Sequence, residues 1–190
     1  MNFLIISGAR CGSSSLQKSI SNYYNLKVIF EPFSPWGLQR KKFQMENIIV
    51  KTIFHQLKNQ SPILGNLSNS YFDECFDFYS ELIPKFDKVI LLIRNNVIEH
   101  AESMVALYNG NYYDVKYVYN LNVDLNPIIK QLNTEKEYIA KLSKKFNLPI
   151  DTYESIYYGD GLTDKSIKLD LRVIDNKNKL RQYNLQKKLV

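Results

Sequence analysis

The stretch FLIISGARCGSSSLQKSI, residues 3–20, predicts a buried strand, a glycine- and serine-rich loop and then a helix. Its apolar opening ends in a Ser-Gly pair, and Leu16 and Ile20 follow the loop at helical spacing. Backbone N–H groups converge in such a loop, and the helix N-terminus adds about half a positive charge. The stretch therefore predicts an anion site, to which Arg10 adds a cation able to bind phosphate oxygens in bidentate fashion.

Outside this stretch, short apolar runs alternate with helical patterns, as is typical of α/β proteins with a mostly parallel sheet. Strands are predicted at 3–6, 27–30, 47–50, 88–93 and 148–153. Helices are predicted at 13–24, with serines as caps, at 71–83 and at 96–108, with a short helical stretch through 57. A long helix is predicted from Asn126, as N-cap, to about 146, whereas 109–125 has no clear period.

The chain has 190 residues, which fits one domain with a single core. We therefore predict a single-domain, three-layer α/β sandwich over residues 1–190, with its core at about 3–156. The tail, residues 163–190, mixes Lys and Asn with isolated aliphatic residues, and the sequence makes no structural prediction for it.

Composition narrows the possible partners. The net charge of +6 suits an anionic partner, but the lysines are scattered, so no nucleic-acid groove is predicted. Cys11 and Cys75 form neither a disulfide framework nor CxxC zinc spacing. The first apolar run is too short for a signal peptide, and no stretch approaches the ~20 apolar residues that span a bilayer. We expect a cytoplasmic protein with no transmembrane segment and no bound metal.

The loop fits neither of two common nucleotide-binding motifs. Five residues beyond Gly8 stands Ser13 rather than Gly, and no Lys-Ser/Thr pair follows, so it is not a Walker A loop. It also lacks the GxGxxG pattern of a Rossmann site. Taken alone, the loop could simply begin a helix after a strand.

Two segments together resemble those of a known enzyme family. The run RCGSSSL resembles the 5'-phosphosulfate loop of carbohydrate and bacterial-lipid sulfotransferases. The segment LLIRNNVIEHAES, which carries Arg94 and then Ser103 nine residues later, resembles the family's 3'-phosphate grip. The resemblance implies a P-loop-like sulfotransferase fold that binds 3'-phosphoadenosine 5'-phosphosulfate (PAPS) and releases 3',5'-adenosine bisphosphate (PAP). Ser103 lies off the apolar face of its helix, where we expect its hydroxyl to be free. The residues so implied for donor binding are Arg10, Cys11, Gly12, Ser13, Ser14, Ser15, Leu16, Arg94 and Ser103.

Weaker similarities suggest the catalytic groups. Glu31, followed by Pro and Phe, resembles a segment whose glutamate is the base in some relatives. Lys51 resembles a strand-end lysine near the sulfonate, and Arg10 would stabilise the charge that grows there. His55 is the second candidate base, four residues beyond Lys51 and predicted on the same helical face. Tyr153-Glu154-Ser155-Ile156 resembles the end of the family's last core strand, but Ser155 replaces the usual acid.

The predicted function is therefore transfer of a sulfonyl group from PAPS to a hydroxyl, without a metal, with a carbohydrate or glycolipid as the acceptor. Candidate acceptor-binding side chains are Trp36, Arg40, Lys41, Lys42, Tyr112, Tyr113, Tyr117 and Tyr119. Two alternatives stay open at this point, a metal-dependent P-loop nucleotide kinase and a non-catalytic nucleotide-binding module.

Overall fold

A computed structural model describes residues 1–34, 44–57, 67–108 and 124–174. Within them, one five-stranded sheet has the order β2-β3-β1-β4-β5, and all of its pairings are parallel. The strands are β1 (Phe3–Ser7), β2 (Lys27–Phe30), β3 (Ile48–Ile53), β4 (Lys88–Ile93) and β5 (Ile150–Thr152). Because the strands run in one direction, the loops that follow them meet along a single edge of the sheet.

Helices cover both faces of this sheet. They are α1 (Ser13–Tyr24), α2 (Asn69–Leu82), α3 (Val97–Tyr108), α4 (Asn126–Phe146) and α5 (Tyr153–Tyr158), with a 3-10 turn at Ile83–Lys85. Alternate residues of β1 point to opposite faces, as in any strand. Leu4 packs in a cluster with residues of α2 and α4, whereas Phe3 packs with residues of α1 and α5. The predicted three-layer α/β fold is therefore confirmed.

The central strand β1 is fully buried between β3 and β4. Strands covered on both faces read as continuous apolar runs rather than as alternating patterns. This is why FLII and VILLI identified β1 and β4 in the sequence. By contrast, β2 lies at the edge of the sheet, with Val28 and Phe30 exposed.

Two strand ends differ from the prediction. Strand β3 continues through Lys51 to Ile53, so the helical stretch predicted through residue 57 was wrong. The chain turns after Ile53, where the Phe54 N–H donates to the Ser7 carbonyl (2.9 Å) and Phe54 is buried. Strand β5 stops at Thr152, because this residue caps α5 in a reciprocal arrangement with Ser155.

The two predicted helix caps were also wrong. Helix α1 begins after Gly12, whose left-handed φ of 76° makes the turn, and no serine side chain caps it. Helix α4 has Leu125 at the N-cap position, and Asn126 lies in its first turn. The Asn126 N–H donates to the side chain of Asp124 (3.0 Å), so the neighbouring acid performs the capping.

The first part of the tail packs against the domain. Ile167 and Ile174 are buried in the cluster on the α1 side of the sheet. The Ser19 hydroxyl donates to the Asp170 carbonyl (3.0 Å), which ties the segment to α1. Residues 175–190 lie outside the described part of the chain. No helix in the described part is long and apolar enough to cross a membrane.

Candidate functional site

The loop between β1 and α1 presents unpaired backbone donors. Arg10 and Gly12 both have left-handed φ angles, of 60° and 76°. Among the described residues, nothing accepts a hydrogen bond from the N–H groups of residues 11–14. These groups stand at the N-terminus of a twelve-residue helix, where the partial positive charge of the helix favours an anion. The loop is therefore suited to a phosphate or sulfate group.

Not every predicted loop residue is available to a ligand. The N–H groups of Ser15 and Leu16 already donate to the Gly12 carbonyl (3.1 and 3.2 Å), and Leu16 is buried in the core. The Cys11 side chain is also fully buried, and this burial raises the pKa of its thiol. The donors that remain are the backbone N–H groups of Cys11, Gly12, Ser13 and Ser14.

Glycine is required at position 12 by its neighbours as well as by its φ angle. A Cβ there would lie 2.6 Å from Cε2 of Tyr157, which is closer than real side chains pack. The Tyr157 hydroxyl donates to the Gly12 carbonyl (2.7 Å). Helix α5 thus packs against the loop at Gly12 and holds it through this hydrogen bond.

Glu31, directly after β2, and Lys51, inside β3 and not at its end as predicted, lie side by side. Lys51 is buried and forms an ion pair with the Glu31 carboxylate. Its Nζ also lies 3.3 Å from the Ser14 hydroxyl and 4.0 Å from the ring centre of Phe30. Burial lowers the pKa of Lys51, and the charge of Glu31 opposes that shift. The structure therefore places the predicted base and the predicted lysine beside the first turn of α1.

The two motif segments meet at Arg10 and Ser103. The Arg10 Nε donates to the Ser103 hydroxyl (3.1 Å), although the residues are 93 positions apart in sequence. The expectation of a free Ser103 hydroxyl was wrong, because helix α3 presents it to the loop. The contact joins the segment predicted to hold the 5' end of the donor to the one predicted to hold its 3'-phosphate.

Arg94 lies at the end of β4 and contacts other partners. Its Nη2 donates to Glu99 Oε2 (2.6 Å), and its guanidinium lies 4.9 Å from the ring centre of Tyr153. Its Nε is buried and has no hydrogen-bond partner among the described residues. The structure therefore places Arg94 beside Glu99, and no described contact joins it to Ser103. The unpaired Nε leaves it a donor for a ligand.

The turn that carries Arg94 is held by Glu154, the second residue of α5. Its carboxylate accepts hydrogen bonds from the N–H groups of Asn95 and Asn96 (2.9 and 3.1 Å). Partial burial raises the pKa of Glu154, but these hydrogen bonds and the charge of Arg94 outweigh it, so the pKa lies below its ordinary value. This glutamate is thus a support for the turn.

His55 lies in the turn after β3 and not on a helix, so the predicted helical face shared with Lys51 was wrong. It is 1% exposed, and its Nδ1 pairs with the carboxylate of Glu135 from α4. Glu135 was not predicted from the sequence. Its signal was a carboxylate within the apolar stripe of α4, three residues after Leu132 and four before Ile139.

His100 was also missed as part of the loop's support. Its Nε2 donates to the Ala9 carbonyl (2.5 Å), and burial lowers its pKa to about 4, so the ring is neutral at pH 7. The candidate acceptor-binding residues lie outside the described residues, at 36–42 and 112–119. In the described ranges, no group of three or more His, Cys, Asp or Glu side chains is arranged to hold a metal.

Comparison with known proteins gives little further guidance. No family model matches the chain, and no curated protein matches it. Among solved structures, deoxyadenosine kinase from M. mycoides with bound dATP is similar over 93% of this chain and 98% of that chain. The sequence identity is 16% and the TM-score is 0.42. A likeness this distant says nothing about activity.

Proposed function

We propose that the chain is a sulfotransferase that transfers a sulfonyl group from PAPS to a hydroxyl of a carbohydrate or glycolipid. The observation that carries this proposal is the contact between Arg10 and Ser103. It brings together two segments that separately resemble the two phosphate-binding elements of that family. A cytoplasmic location belongs to the same proposal and is supported by Cys11 and Cys75, which are both free thiols.

The donor would be held at both of its charged ends. The open N–H groups of residues 11–14 and the Arg10 side chain suit the 5'-phosphosulfate. The unpaired Nε of Arg94 suits the 3'-phosphate, because a buried donor without a partner is costly until a ligand accepts from it. When bound, the donor supplies the sulfonyl group and leaves as PAP.

The chain's own residues must then stabilise charge and take one proton. Lys51, beside Ser14, is placed to oppose negative charge at the first turn of α1. Glu31 is the first candidate to accept the proton of the acceptor hydroxyl, and it lies at the sheet edge where ligands of open α/β sheets bind. His55 is the second candidate, and the two differ in their partners, Lys51 for Glu31 and Glu135 for His55.

A nucleotide kinase is the second candidate function. The loop lacks the lysine of a Walker A motif, but Lys51 reaches the first turn of α1 from the neighbouring strand. A cation at this position would also serve the phosphates of ATP. Such an enzyme would need magnesium, so dependence on that ion distinguishes it from the leading proposal.

Binding of three nucleotides tests these functions. The proposal predicts that PAP binds in the presence of EDTA, and that 5'-AMP, which lacks the 3'-phosphate, binds much more weakly. Binding of ATP that requires magnesium, together with no binding of PAP, would indicate the kinase. Binding of PAP without release of PAP from PAPS on any hydroxyl acceptor would indicate a non-catalytic module.

A further inference from the structure

Glu135 is a buried carboxylate that contacts two loops of the sheet edge. It is 2% exposed on the apolar face of α4, and its Oε2 pairs with Nδ1 of His55. Its Oε1 faces the β1–α1 loop so closely that a Cβ at Gly8 would overlap it. Burial of a carboxylate costs several kcal/mol unless its partners compensate for the lost water. An apolar side chain would fill this position without that cost. The carboxylate therefore indicates a role other than packing.

The pairing with Glu135 determines which nitrogen of His55 carries the proton in the neutral ring. An ionised carboxylate only accepts hydrogen bonds, so Nδ1 of His55 must donate. Nε2 of a neutral ring is then bare and can only accept. This Nε2 is buried and has no hydrogen-bond partner among the described residues. A buried, unpaired acceptor costs about 1–3 kcal/mol, which a bound hydroxyl could recover.

The position of His55 fits a role next to the loop. The preceding residue, Phe54, is tied by its N–H to the carbonyl of Ser7, the last residue of β1 (2.9 Å). His55 therefore lies at the carboxyl edge of the sheet, in the turn adjacent to the start of the anion-binding loop. The carboxylate of Glu135 pairs with His55 in this turn and also lies beside Gly8. It therefore fixes the position of the His55 ring relative to the β1–α1 loop.

We propose that Glu135 is a positioning residue that holds His55 with its proton on Nδ1, so that Nε2 takes the proton of the attacking hydroxyl. This inference rests on the proposed sulfotransferase function. As the hydroxyl oxygen bonds to sulfur, the bond from sulfur to the 5'-phosphate oxygen breaks, and PAP leaves with its electron pair. The proton passes to Nε2, and Glu135 opposes the charge of the imidazolium that forms. Glu31 then remains the partner of Lys51.

The tautomer is tested directly by nitrogen NMR of the full chain labelled with ¹⁵N. Long-range proton–nitrogen spectra, recorded as pH is raised until the ring is neutral, should show the neutral His55 ring with a protonated Nδ1 and a bare Nε2. In Glu135→Gln this preference should be lost, whereas Glu137→Gln, on the exposed face of the same helix, should retain it. A wild-type ring protonated on Nε2 would overturn the inference. This measurement needs neither donor nor acceptor, so it stands apart from the proposed function.

Kinetics test the role of the bare nitrogen. With water as the probe acceptor, release of PAP from PAPS should fall by about 10²–10⁴-fold in kcat for His55→Gln, with an unchanged KM for PAPS. Glu135→Gln should lower kcat in the same direction, and Glu137→Gln should not. Should His55→Gln keep the wild-type kcat while Glu31→Gln loses it, Glu31 is the base and the inference is wrong. If Glu135→Gln does not fold, His55→Gln and the wild-type tautomer still decide the question.

Discussion

Two pairs of a cation and a carboxylate flank the anion-binding loop, and water reaches them to different extents. On the β3 side, the side chains of Lys51 and Glu31 are 3% and 14% exposed. On the β4 side, those of Arg94 and Glu99 are 9% and 44% exposed. Both cations are thus buried, and of the two carboxylates only Glu99 has ready access to water. The carboxylate partner therefore decides which pair can open.

This difference assigns different roles to the two cations. Glu99 can move into water at small cost, because ion pairs with an exposed partner contribute only about 0–1 kcal/mol. A phosphate can then take its place on Arg94. Separating Lys51 from Glu31 would leave a buried charge without a partner, so that pair persists when an anion binds. Arg94 is the cation that exchanges its partner, and Lys51 is part of a fixed wall.

The largest expected effect comes from breaking the buried pair. Glu31→Gln should lower the free energy of unfolding at pH 7 by about 3–5 kcal/mol, because Lys51 must stay charged without a partner or lose its proton. Glu99→Gln, the matched change in the exposed pair, should cost at most about 1 kcal/mol. Urea unfolding of both variants measures the contrast. Equal losses would show that the two ion pairs contribute equally to the free energy of unfolding, which would contradict the difference between them.

The next effect concerns the loop between the pairs. The pKa of His100 is lowered to about 4 in the fold from an ordinary value near 6.5, so the unfolded chain binds more protons between these values. Stability should therefore fall as pH drops from 6.5 towards 4, by about 3 kcal/mol from this residue alone. His100→Asn should remove the pH-dependent loss that His100 causes. The free energies of unfolding of the variant and the wild type should therefore come closer together as pH falls. Parallel curves of unfolding free energy against pH would contradict the prediction.

A smaller effect is expected on binding when the exchangeable cation is removed. Arg94→Ala should weaken PAP by about 10–100-fold, since a hydrogen bond to a charged group contributes about 1.5–3 kcal/mol. Arg172→Ala, which removes an exposed arginine paired with Asp170, is the matched control and should bind PAP as the wild type does. Fluorescence competition with a labelled nucleotide measures both. If the Arg94→Ala variant bound PAP with wild-type affinity, Arg94 would not be part of the PAP site.

The smallest effect is expected on PAP affinity when the exposed carboxylate of the Arg94–Glu99 pair is removed. Glu99→Gln should raise the affinity for PAP by up to about fivefold. The bound phosphate then no longer competes with Glu99 for Arg94, and that ion pair contributes at most about 1 kcal/mol. Calorimetric titration of PAP into this variant and the wild type, at low and at high salt, should show the gain in affinity shrinking as salt screens the charge. Weaker binding in this variant would mean that Glu99 helps to hold the ligand.

Most of the fold could be predicted from sequence because its central strands are uninterrupted apolar runs. The prediction failed where a polar residue entered such a run. Lys51 broke the apolar pattern of β3, and its ion pair with Glu31, the residue directly after β2, together with the Phe30 ring, explains how a strand buries it. An apolar pattern also does not show that β5 ends at Thr152, because this residue caps α5 in a reciprocal arrangement with Ser155.

The site could be predicted in its components and not in its pairings. The family resemblance implied that Arg10, Arg94 and Ser103 lie in one site. In the structure Ser103 contacts Arg10, and Arg94 contacts Glu99. Such choices depend on how helix α3 turns against the loop, which packing between distant elements decides. Glu135 left a local signal, a carboxylate in an apolar stripe, although its partner His55 is 80 residues away.

Calorimetric titration of PAP into the wild type, Arg10→Ala and Arg94→Ala tests the central claim most directly. We expect micromolar binding by the wild type in the absence of metal and weaker binding by both variants, by about 10–100-fold for Arg94→Ala, with Arg172→Ala unaffected. The claim would be contradicted if the wild type bound no PAP, or if both arginines could be removed without any change in affinity.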